Sequence, residues 1–131
     1  CVEALAGDIP VFDLISRSDH ASKQAREEAA IAEIATLLGP DTGGEISALW
    51  YEFEHRQTAE AKLVYALDKL ECKIQHNEAD LSTWNEHERN FSIDWQDELY
   101  DFDATVMALK NQIMADTKQK LQAEMANEVE A

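Results

Sequence analysis

Only four glycines and two prolines punctuate the 131 residues of the chain. So few backbone breakers point to long helices, because an all-β chain of this length needs many turns. Hydrophobic residues make up 45% and charged residues 29%, the balance of a folded domain and not of a disordered chain. The expectation is therefore one all-α domain over residues 1–131, large enough to build a core without disulfide or metal staples.

Charge narrows the function classes. The chain carries 11 basic and 27 acidic residues, a net charge of −16. Binding to a nucleic acid polymer draws on Lys and Arg that displace counterions, so that class is excluded. Docking on anionic lipid is disfavoured for the same reason. No apolar run approaches the ~20 residues that span a bilayer, and no secretory signal is present, so the expected location is cytoplasmic. Cys1 and Cys72 stand in neither a CxxC nor a CxxH pattern and read as free thiols of a reducing compartment.

Helix signals divide the chain. Residues 1–6 read as the tail of a helix stopped by Gly7, and Ile9-Pro10 as extended chain. A helix is expected over 21–38, with Asp19 as its N-cap. Gly39-Pro40-Asp41-Thr42-Gly43-Gly44 is the clearest break. Ile46, Leu49, Trp50 and Phe53 then follow helical spacing. Thr58 is the candidate cap of a longer helix reaching about Asn77. Two shorter helices are expected near 81–88 and 93–102, with Asp80, Ser82 and Ser92 as candidate caps. A last helix spans 104–128, with Val106, Leu109, Ile113, Leu121, Met125 and Val129 as its apolar stripe.

The helix after Thr58 is the most informative. Leu63, Leu67, Leu70 and Ile74 form one apolar stripe, while Ala61, Val64 and Cys72 form another. Asp68 lies on the second. A helix apolar on two faces is central in its domain, so Asp68 is expected in the interior, where a carboxylate needs a partner or a metal. Lys62, Lys69 and Lys73 fall on a third, basic line, which is read as pairing with the acidic surplus rather than as a phosphate site.

Other constellations have plain readings. The acidic stretch 78–103 lacks the alternating carboxylates and central Gly of a calcium loop and reads as solvated surface. Glu52 and His55 form one Glu-x-x-His spacing, where a di-iron bundle needs two. His20, His76 and His87 read as exposed polar residues. No G-x-S-x-G elbow supports a serine nucleophile, and no Gly-rich phosphate loop is present. Taken singly, Glu3 is a helix-surface carboxylate and Asp8 a turn residue.

Three segments taken together carry a resemblance. They are Val2-Glu3-Ala4-Leu5-Ala6-Gly7-Asp8-Ile9-Pro10, then Leu38-Gly39-Pro40 through Ile46-Ser47-Ala48-Leu49-Trp50-Tyr51-Glu52-Phe53-Glu54, then Thr58-Ala59-Glu60-Ala61-Lys62 through Leu67-Asp68-Lys69-Leu70-Glu71. In order and spacing they resemble the HD-domain metal-dependent phosphohydrolases, in particular the 5′-deoxynucleotidase-like branch. The resemblance covers about residues 1–100. It implies an all-α bundle around a divalent metal (Mn, Co, Mg or Zn) and hydrolysis of a nucleoside 5′-monophosphate or similar phosphomonoester. In such chemistry the metal lowers the pKa of water and carboxylates manage the protons.

By the same resemblance Asp68 matches a metal ligand. Glu3 matches a carboxylate close to the metal-bound water, and Asp8 one near the scissile phosphate. The family's His-Asp pair would fall immediately before Cys1, and its early helix with another His earlier still. The bundle is thus expected without its N-terminal helices, and three of the four metal ligands are absent from this sequence. A lone Asp does not hold a catalytic metal, so the chain is expected either to be incomplete for the chemistry or to bind no metal. The alternative is a non-catalytic helical scaffold that self-associates, as a homodimer, through the face that the early helices would cover.

Overall fold

Helix follows helix along the chain in a computed structural model, which describes residues 2–7 and 17–130, with side chains for 2–7 and 20–123. Among the described residues there is no strand, and the all-α expectation holds. Packing groups the residues into two compact units, one through Arg56 and one from Gln57 onward.

In the first unit α1 (Val2–Ala6) stops where expected. Gly7 takes φ 81°, a conformation open to glycine, and its N–H donates to the Glu3 carbonyl at 2.8 Å. Helix α2 (Arg17–Leu38) begins four residues earlier than expected, so Asp19 lies inside the helix and not at its cap. Among its described side chains, Ala30 and Ile31 are buried.

The expected break at 39–44 shrinks to a single residue. Gly39 turns the chain at φ 81°, and α3 (Pro40–His55) starts at once. Proline suits a first helical position because its missing N–H has no helical partner to lose. Gly43 and Gly44 are therefore helical. Gly43 is buried because α2 passes close by: a Cβ there would press into the Ala35 carbonyl and stand 2.9 Å from the Ala35 Cα. Arg56, at φ 52°, closes α3 with its N–H on the Glu52 carbonyl at 3.2 Å.

The second unit opens with α4 (Ala59–Glu78). Thr58 caps it as expected, its hydroxyl oxygen accepting from the Ala61 N–H at 3.2 Å. A short turn at Leu81–Thr83 is held by Asp80, whose carboxylate accepts from the Ser82 N–H at 2.8 Å. Helix α5 (Glu86–Ile93) sits between the two expected short helices. Its cap is Asn85: the Asn85 side chain accepts from the Glu88 N–H at 2.9 Å, and the Glu88 carboxylate accepts from the Asn85 N–H at 2.7 Å. Ser92, a candidate cap, is instead buried near the helix end. After a turn at Asp97–Leu99, Asp103 accepts from the Thr105 and Val106 N–H groups and starts α6 (Ala104–Glu130).

The core of this unit is Ala66, Leu70, Tyr100, Val106 and Ile113, with Trp95, Leu99 and Met107 packed against it. The buried line of α4 runs from Ala66 through Leu70 to Lys73. It is not the stripe read from the sequence: Leu63, Leu67 and Ile74 are 40%, 44% and 38% exposed. Val106 and Ile113 of the α6 stripe are buried, while Leu109 is exposed and the side chains of Met125 and Val129 lie outside the described residues.

Candidate functional site

The three carboxylates singled out by the resemblance have different settings. Glu3 is exposed in the first turn of α1. Asp8 lies outside the described residues. Asp68 is midway along α4, but the expectation of burial fails: its side chain is 59% exposed, and Oδ2 accepts from Lys69 Nζ at 3.1 Å. The reason is the helix's rotation about its axis. The line that faces the core passes through Leu70 and Lys73, and Asp68 falls off it together with Leu67.

Among the described residues no three of His, Cys, Asp and Glu gather closely enough to hold a metal ion. Asp68 alone, engaged with a lysine, does not supply a metal site, and the described side chains do not fit a divalent cation. Glu52 and His55 belong to no such metal-holding group among the described residues, and the His55 ring stacks 6.3 Å from Tyr51. Among the described residues of the first unit, the perturbed carboxyl is Glu54. Burial raises its pKa, and the nearby Glu27 raises it further against Arg56 and Lys23. Lys23 itself pairs with Glu27 at 3.4 Å.

The second unit holds a polar cluster that the sequence reading missed. Lys73 does not join Lys62 and Lys69 on the basic line read as pairing with the acidic surplus. It is 3% exposed, and its ammonium donates to the Phe91 carbonyl and, at 2.7 Å, to the Asp94 carbonyl. It lies 4.1 Å from the centre of the Phe91 ring and 4.5 Å from that of Trp95. Burial draws its pKa down from 10.5 to about 8, against the pull of Asp94. A signal existed: Lys73 continues the helical line of Ala66 and Leu70.

His76, one turn on, is also not simply exposed. Its Nδ1 lies 3.1 Å from Ser92 Oγ, and its ring packs 5.5 Å from Trp84 and 5.7 Å from Phe91. Burial lowers its pKa, Glu88 opposes that, and Lys73 adds to it. Farther along, Lys110 reaches Asp97 Oδ1 at 2.5 Å, and Thr117 Oγ1 meets Asn77 Oδ1 at 2.9 Å, tying α6 to α4. Cys72 is a free thiol whose pKa is raised by burial. His87 and His20 are exposed, as expected. Among the described residues no helix is long and apolar enough to cross a membrane.

Comparison with known proteins agrees with the helical architecture. The chain is 40% identical over 76 residues to the human 5′-deoxynucleotidase HDDC2, a stretch covering 58% of this chain and 36% of the relative. It is 42% identical over 76 residues to the Danio rerio protein of that name, covering 58% and 36%. It is 40% identical over 73 residues to the Dictyostelium discoideum one, covering 56% and 37%. The chain thus spans little more than a third of the length of these relatives. No solved structure matches it. The family model described as "HD domain" matches residues 1–110, a span that takes in helices of both units and all three candidate carboxylates, and the chain belongs to the HD domain family.

Proposed function

We propose that the chain is part of a metal-dependent phosphohydrolase acting on nucleoside 5′-monophosphates, with Asp68 as a metal ligand and Glu3 and Asp8 as the carboxylates that handle protons. The observation that carries this reading is the HD domain match over residues 1–110. The relatives named as 5′-deoxynucleotidases support a deoxynucleoside monophosphate as substrate. The reading treats the two packing units as parts of one HD domain and sets the protein in the cytoplasm, in keeping with the free thiol of Cys72. The described residues do not complete a metal site, so the proposal requires ligands from outside the described residues.

The test is manganese occupancy of a version extended at its N-terminus to carry the early helix and the His-Asp pair. One ion should bind per chain, and Asp68→Ala should abolish binding. Undiminished occupancy in that variant sinks the assignment of Asp68.

A second reading rests on a separate observation. Leu63, Val64 and Leu67 form an exposed apolar run on α4, at 40%, 54% and 44% exposure. Such a run supports a non-catalytic scaffold that forms a homodimer through this face. Sedimentation of a stable monomer at micromolar concentration contradicts it. Metal-dependent turnover by a dimer favours the first reading.

A further inference from the structure

We draw no further inference here: the strongest candidate, the exposed apolar stripe of Leu63, Leu67 and Ile74 on α4, is the face already given to the homodimer reading, and nothing in the structure shows what covers it.

Discussion

Lys73 gives the sharpest energetic prediction, because its ammonium is buried against carbonyls and rings and, among the described residues, no carboxylate accepts a hydrogen bond from it. Folding moves its pKa from 10.5 to about 8. Between those pH values the unfolded chain holds a proton that the folded chain has released. Stability therefore rises with pH across this window. Below pH 8 the full cost of burying the charge is present, and by pH 10.5 it is relieved, a change of about 3 kcal/mol. The perturbation is Lys73→Met, which keeps an unbranched apolar stem and removes the titrating group.

Urea unfolding of both proteins at pH 7 to 10.5, followed by fluorescence of Trp84 and Trp95, reads the difference in stability. Contributions common to both cancel, including that of Tyr100, whose pKa burial raises to about 12. Relative to the variant, the natural sequence should gain about 3 kcal/mol between pH 8 and 10.5. Two curves that stay parallel within about 0.5 kcal/mol would refute the burial of a charged Lys73.

Two further predictions concern α3 and α4. Gly43→Ala should destabilise the first unit by about 1–3 kcal/mol, because the added Cβ meets the Ala35 backbone, which has no rotamer to yield; Gly44→Ala, with nothing within 4 Å, should be neutral or stabilising by up to about 1 kcal/mol in the same thermal melt. Asp68→Ala should change unfolding free energy by less than about 1 kcal/mol, since the residue is exposed and its pair with Lys69 is screened; a larger loss would show a structural role that the position on α4 does not explain.

Local signals in the sequence proved readable where the chemistry is local. Gly7 stops α1 and Thr58 starts α4 because a glycine conformation and a hydroxyl acceptor act on neighbouring residues. The Asn85-x-x-Glu88 box was equally visible and marks α5, which the reading by Asp80 and Ser92 displaced. The Gly39–Gly44 stretch misled because glycine's usual meaning is a break. Here Gly43 is small so that α2 can pass, a reason that lies in another helix.

The polar cluster was hidden for the same kind of reason. The acceptors of Lys73 come 18 and 21 residues later, and Ser92 comes 16 residues after His76. Nothing near either residue signals a partner. The reading of α4 as apolar on two faces overstated its burial: Ala66, Leu70 and Lys73 face the core, while Leu67 and Asp68 do not. The family was legible from three ordered segments. The candidate carboxylates follow from that likeness, and local geometry adds nothing to Asp68 beyond a place on an ordered, exposed helical surface.

Phosphate release from a panel of deoxynucleoside 5′-monophosphates, with added manganese or cobalt, tests the central claim most directly. The account predicts no release above blank by the 131-residue chain, and chelator-sensitive release by the version extended to carry the His-Asp pair, lost on Asp68→Ala. An extended version that folds, binds the ion and yet releases no phosphate from any member of the panel would contradict it.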